Sequence, residues 1–278
     1  MIEQRFRLRN VLPFVVLLVL TSPLLVGYVW LLLATVSRRT YGLSPQELTL
    51  ANWSFVWDFD GPGASIWGVV SNSFMLALGL AIMVVLLSSL AGYALSRLDF
   101  VGRRPFLSLT LVLHAFPSVT LLIAIYFVLR ELRLYNTLAG VVLVKVALEL
   151  PLGIWLMKGF FDNVPWDIER AAMVDGARRL RVWWQIVLPL IRPGIAALAI
   201  FSFISGWNEF LIPYTFILDR QRATLPVYLQ QLVGDSRFVD YGQVAAVGLF
   251  QLLPVLLFFV FTQRYLLSIY AGGVKGGA

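Results

Sequence analysis

The chain has 278 residues, of which 59% are hydrophobic and only 13% charged, with a net charge of +7 and a mean hydropathy of +0.82. Soluble domains carry about 25% charged residues, so a water-facing surface is excluded for most of this chain and an integral membrane protein is expected. The absence of cysteine excludes disulfides, thiol catalysis and Cys-ligated metals, and a basic excess in such a protein reflects cytoplasmic loops rather than nucleic-acid binding.

A bilayer core of about 30 Å needs about 20 apolar residues per helical crossing. Six stretches meet that length, and the predicted fold is all-α, a single polytopic domain over 1–278. Residues 11–36 carry no charge and are too long for a signal-peptide core, so they are read as a retained anchor. An outer loop follows, with Pro45, a Gly61-Pro62-Gly63 turn, and Trp53 and Trp57 suited to the membrane interface. The second span, 66–96, is again uncharged. The third, 105–129, holds the lone histidine, His114, near Pro117. A single histidine cannot build a His-rich metal site, so packing or hydrogen bonding is expected of it.

The fourth span, 134–157, carries Lys145 and Glu149. Four residues apart, they share a helix face and can neutralise each other; Pro151 is expected to kink the helix after them. A long connection, 159–192, leads to the fifth span, 193–218, which is interrupted by Glu209. A polar outer loop, 219–240, with a short helix expected over 225–232, precedes the sixth span, 241–263. The Gly-rich end, 272–277, reads as a tail. With the amino terminus inside, 14 of the 22 lysines and arginines face the cytoplasm and seven face outward, leaving Lys145 within a span. The bias supports both termini inside, although Arg38 and Arg39 count against it.

The connection 159–192 is the most informative segment. Pro165 suits the first turn of a helix, and Asp167 and Glu169 lie early in it, where the helix dipole favours negative charge. Ile168, Ala171 and Ala172 follow at spacings of three and four, giving one small apolar face. Gly176 offers the left-handed conformation that ends many helices. A second helix, about 178–188, is expected to gather Val182, Trp183, Ile186 and Val187 on one face and Arg178, Arg179 and Arg181 towards water. Pro189 and Pro193 then break the segment. An alanine-smooth helix ringed by charge suits docking into a partner's groove; the alternative is an amphipathic hairpin held on lipid headgroups by its arginines.

Residues 165–194 resemble the hallmark loop of inner-membrane permease subunits of binding-protein-dependent ATP-binding-cassette importers, whose pattern runs Glu-Ala-Ala, three residues, Gly. Ala171, Ala172, Asp175, Gly176, Ala177, Leu188, Pro189 and Pro193 fall on matching positions. One departure stands out. The glutamate directly before the paired alanines is Arg170 here, and the acid sits one place earlier, at Glu169, which is expected to take over its salt bridge to the ATPase. The resemblance implies that Glu169, Arg170, Ala171, Ala172, Asp175 and Gly176 form a cytoplasmic coupling helix seated on an ATP-binding subunit. It also implies a second homologous permease, two ATP-binding subunits, an extracytoplasmic sugar-binding protein meeting the loop 219–240, and a bacterial or archaeal cytoplasmic membrane. Ser205-Gly206-Trp207-Asn208-Glu209-Phe210-Leu211 and Ala271-Gly272-Gly273-Val274-Lys275-Gly276 resemble segments of the carbohydrate permeases of the maltose and glycerol-phosphate type.

No Gly-x-x-x-x-Gly-Lys-Ser/Thr loop occurs in the sequence, so ATP and magnesium are expected on the partner ATPase and no cofactor, metal or catalytic residue is expected in this chain. Charge inside hydrocarbon is costly unless it meets a partner or a water-filled path. Glu209 and Asn208, between Gly206 and Pro213, are therefore candidates for the substrate path, with Trp207 or Phe210 stacking on a sugar face. The alternative is that Glu209 lies at the outer interface or fixes assembly with a neighbouring permease. An ion-coupled secondary transporter, whose paired repeats are not visible, is the rival function.

Overall fold

The computed structural model describes residues 11–57, 65–234 and 239–273 of the chain. The Gly61-Pro62-Gly63 turn and residues 274–277 of the tail lie outside them. The described chain is mostly helical and divides into two compact units, Met1–Phe59 with Leu229–Leu253, and Asp60–Tyr228 with Pro254–Ala278.

The first unit starts with α1 (Val11–Thr35), an uncharged helix none of whose apolar window is buried within the chain. All of that surface is thus left for lipid or another protein. A short antiparallel hairpin follows, β1 (Ser37–Tyr41) and β2 (Ser44–Leu48), pairing Ser37 with Leu48 and Arg39 with Gln46. This corrects the all-α expectation. The strands are too short and too polar for the period-two pattern to stand out. Asn52, in a 3₁₀ turn over Ala51–Val56, is buried and donates its amide to the carbonyls of Ala34 (3.1 Å), Thr35 (3.2 Å) and Ser37 (2.9 Å). The carbonyls of Ala34 and Thr35 are left open where α1 ends, and the one side chain satisfies them while tying in the start of β1.

The second unit is built on α2 (Ile66–Arg97). Val69, Leu76, Leu80 and Val84 are fully buried at helical spacing, and α2 packs along α5 (Leu138–Asp162) and α9 (Arg192–Trp207). Small residues permit that approach: Gly206 of α9 lies so near α2 that a Cβ there would sit 2.7 Å from the Cα of Ala77. Between α2 and α5 run α3 (Arg103–His114) and α4 (Ser118–Glu131). They form the expected third span, 105–129, as a bent pair rather than one helix. The pair is bent by 103°, because Pro117 lacks an amide proton and drives the residue before it out of helical geometry.

Past α5, which extends to Asp162 rather than ending at 157, come α6 (Trp166–Val174), α7 (Arg179–Val182), a π-helical turn (Trp183–Val187) and α8 (Leu188–Leu190). Val182, Trp183, Val187 and Ile191 join the core with Leu80, Val84, Met157 and Phe161, as the spacing of the second loop helix predicts. The axis turns by 80° into α9. The expected fifth span is then broken, since Asn208, Glu209 and Phe210 separate α9 from α10 (Leu211–Phe216). The remaining helices are α11 (Leu225–Gly234) and α12 (Tyr241–Gly273). Among the described residues, four helices are long and apolar enough to cross a membrane, and up to six if each bent pair is one crossing.

Gly206→Val should wedge α9 away from α2 and cost about 1–3 kcal/mol, read as a lower thermal midpoint in detergent. Gly159→Ala, where an added Cβ meets nothing within 4 Å, should leave that midpoint unchanged or raise it.

Candidate functional site

Two groups of residues singled out by the sequence lie in the second unit. The first is α6. Pro165 caps it, Asp167 and Glu169 occupy its first turn, and Gly176 ends it with φ +86°. The amide of Ala177 reaches the carbonyl of Ala172 (3.0 Å) and that of Gly176 reaches Met173 (3.1 Å), the paired bonds of a Schellman ending. The helix therefore stops because glycine accepts a backbone conformation that a β-branched residue would resist.

The two faces of α6 differ from the expected single alanine face. Ala172 and Met173, with Ala177 beyond the helix, pack on the core of the chain itself. Ile168, Arg170, Ala171, Val174 and Asp175 are exposed, as are Leu180 and Trp184 beyond. The paired alanines thus point to different places, because adjacent helical positions are 100° apart.

Glu169 points inward. This corrects the expectation that it takes over a salt bridge to a partner. Arg97 donates from Nε to Glu169 Oε1 at 2.5 Å, and the Tyr93 hydroxyl donates to Oε2 at 2.9 Å. The two charged side chains are 3% and 2% exposed, so the carboxylate is spent inside the chain. Arg97 also donates from Nη2 to the Val164 carbonyl at 2.8 Å, and its guanidinium lies 4.7 Å from the Trp166 ring centroid. Arg170 covers the same ring at 5.8 Å. One residue earlier on α2, Ser96 donates to Asp162 Oδ1 (2.6 Å), whose Oδ2 accepts from Lys158 (2.5 Å). Sequence reasoning missed Arg97, which reads as one more cytoplasmic arginine at the end of an apolar span. The available signal was Tyr93 four residues before it, on the same helix face.

The second group lies within the apolar spans. Lys145 Nζ is 3.3 Å from Glu149 Oε1 and 2.6 Å from Glu209 Oε2. The first contact follows from i,i+4 spacing; the second joins α5 to the break after α9. Ser205 donates to Glu149, and Glu209 Oε1 accepts from the Ile212 amide at 3.1 Å, capping α10. Lys145, Glu149, Glu209, Ser205 and His114 line a mostly apolar cavity of about 860 Å³. Two carboxylates share one ammonium there, so the cluster presents acceptors to whatever fills the cavity.

Trp207 and Asn208 are not among the lining residues. Trp207 is 2% exposed and stacks on Phe203 at 6.3 Å between centroids, which corrects its expected role as a sugar platform. Asn208 is exposed and its amide returns to the Ile204 carbonyl at 3.0 Å. Phe210 stacks on Tyr214 at 4.9 Å.

Residues 84–267 match the family described as the binding-protein-dependent transport system inner membrane component. A sulfoquinovosyl glycerol transport system permease protein of Agrobacterium fabrum is 36% identical over 74% of this chain and 72% of its own length. A trehalose/maltose transport system permease protein of Thermococcus litoralis is 29% identical over 97% of this chain and 98% of its own. In fold, the chain superposes on a chain of a bacterial ABC transporter involved in the import of the acidic polysaccharide alginate, with a TM-score of 0.80 and 20% identity over 95% of this chain and 99% of that one.

Lys145→Met removes the cation shared by two carboxylates. Breaking a fully buried pair costs about 3–5 kcal/mol; these side chains keep 11% to 20% of their exposure, so a smaller fall in the thermal midpoint is expected. Adding Glu149→Gln and Glu209→Gln to the same chain should recover most of the loss.

Proposed function

The chain belongs to the family of binding-protein-dependent transport system inner membrane components, and from that premise we propose that it forms half of the pore of an ATP-driven carbohydrate importer. The other half is a second homologous permease. Two ATP-binding subunits, which hold ATP and magnesium, hydrolyse the nucleotide, and an extracytoplasmic sugar-binding protein delivers the cargo. Both termini and the connection holding α6 lie on the cytoplasmic side of a bacterial or archaeal inner membrane, and the chain crosses it six times. A chemistry-bearing site for ATP is not part of this subunit's work.

The observation that carries the reading is the two-sided build of α6. Its inner side is committed to the chain's own core, while Ile168, Ala171 and Val174 stand out in solvent, with Val174 86% exposed. A short helix with a small, apolar outer face and a rigid inner anchor suits insertion into a groove of a separate protein. Arg170 occupies the outward position that holds an acid in the family pattern, so the groove is expected to offer it a carboxylate or carbonyls instead. Carbohydrate as cargo fits the names of the relatives and the lining of the 860 Å³ cavity. Sugar hydroxyls donate well to carboxylates such as Glu149 and Glu209, and Ser205 adds a further polar edge.

Reconstitution of the chain with its second permease, ATPase and binding protein should give uptake of one of trehalose, maltose or sulfoquinovosyl glycerol that requires ATP. The chain alone, under a proton or sodium gradient, should move none of them; gradient-driven uptake would instead identify an ion-coupled carrier. In the full assembly, Gly176→Val strains the Schellman ending by about 1–3 kcal/mol. It should lower uptake and binding-protein-stimulated hydrolysis together, and normal values for both would contradict docking through α6.

A further inference from the structure

The two ends of α2 hold two segments that the proposed function places on opposite sides of the membrane. At its last turn, Tyr93, Ser96 and Arg97 project from one face and hold Glu169, Asp162 and the Val164 carbonyl. At its first turns, the Asn72 amide donates to the carbonyls of Gln221 (2.8 Å) and Ala223 (3.0 Å), and the Leu225 amide donates to Ser73 Oγ at 2.7 Å. Asn72 and Ser73 are buried, as are Ala223, Thr224 and Leu225 opposite them. Both grips are made of directional bonds, with those from Arg97 to Glu169 and Val164, from Asn72 to Ala223 and from Leu225 to Ser73 buried, and one uninterrupted 32-residue helix joins them.

We infer that α2 is the strut that carries the signal between the outer loop around 221–225 and the coupling helix α6, with Asn72 and Arg97 as its positioning residues. This rests on the docking reading of α6 given above. The alternative route runs along the backbone, through α5 into α6 and through α7 into α9. That route passes through the non-helical connections 163–165 and 175–178. The α2 route has no such joint. Arg97 is fixed from three directions, by Glu169, by the Val164 carbonyl and by the Trp166 ring face. Separating it from Glu169 would leave a buried charge unpaired, so α6 and the end of α2 move as one body. Along its length α2 also packs against α5 and α9, so a shift of α2 reaches the helices that line the cavity.

The two grips lie about 37 Å apart along the helix at 1.5 Å per residue. Substitutions at such a distance are normally additive, and that makes the inference testable. The reconstituted importer is assayed for ATP hydrolysis with magnesium, and the stimulation given by its binding protein is the readout. Asn72→Ala and Arg97→Met should each reduce the stimulation about tenfold, within the usual range of coupling between sites. If both act on one strut, the double variant is no worse than either single one. A double loss near the product, about a hundredfold, would mean independent sites and overturn the inference, as would full stimulation in Asn72→Ala.

Arg97→Lys keeps the charge but cannot bond in three fixed directions. It replaces Arg97→Met in the cycle if that variant does not assemble, and the same two outcomes decide. Thermal midpoints of the assembled variants, which report structure alone, should stay additive while the stimulation does not. A wild-type assembly that shows no stimulation at all would instead contradict the docking reading, and the two failures are thereby distinguishable.

Discussion

The buried contact between Arg97 and Glu169 decides how α6 is presented. A nine-residue helix is too short to be stable alone, and α6 would be a loosely tethered loop without an anchor. The anchor is an ion pair almost closed to water, bonded again at the Tyr93 hydroxyl and at the Val164 carbonyl. Such a pair adds little net stability relative to apolar packing, yet it is costly to break and fixes one geometry. The inner side of α6 is thereby defined, and the outer side follows: Ile168, Ala171 and Val174 face solvent because Glu169, Ala172 and Met173 face the core.

The same economy of charge appears deeper in the apolar spans. Lys145 meets both Glu149 and Glu209, and Ser205 supports Glu149. Glu209 also caps α10, so the break in the fifth apolar stretch has its open amide satisfied from within. Charged side chains are tolerated in these segments when they are paired or face a cavity, and this cluster does both. It ties α5 to the α9–α10 break while leaving acceptor oxygens on the cavity wall, which is what a path for a hydroxyl-rich cargo requires.

What could be read in the sequence was local. Pro165 and Gly176 bound α6 within a residue or two, and Val182, Trp183 and Val187 enter the core as their spacing requires, because a few neighbouring residues set these features. Lys145 with Glu149 is likewise an i,i+4 relation. The partners that complete each site are not local. Glu209 comes 60 residues after Glu149 in the sequence, and Glu169 meets Arg97 across 72 positions. Pattern also misled where one residue admits two roles. Arg97 resembles a topology-setting arginine and is an internal anchor; Trp207 resembles a sugar platform and is packing. Pro117 is legible within the third span, but the size of the bend there, 103°, is not. The hairpin after α1 has no apolar alternation to announce it.

In the proposed assembly, α6 has an inner side reserved for its own chain and an outer side reserved for a motor subunit. Genetically placed photo-crosslinkers at Ala171 and at Ala172, in the assembled importer in membranes, test it most directly. The probe at Ala171 is expected to join the ATP-binding subunit, and the probe at Ala172 to label only its own chain. Capture of lipid alone from Ala171, or equal capture of the ATP-binding subunit from both positions, would contradict it.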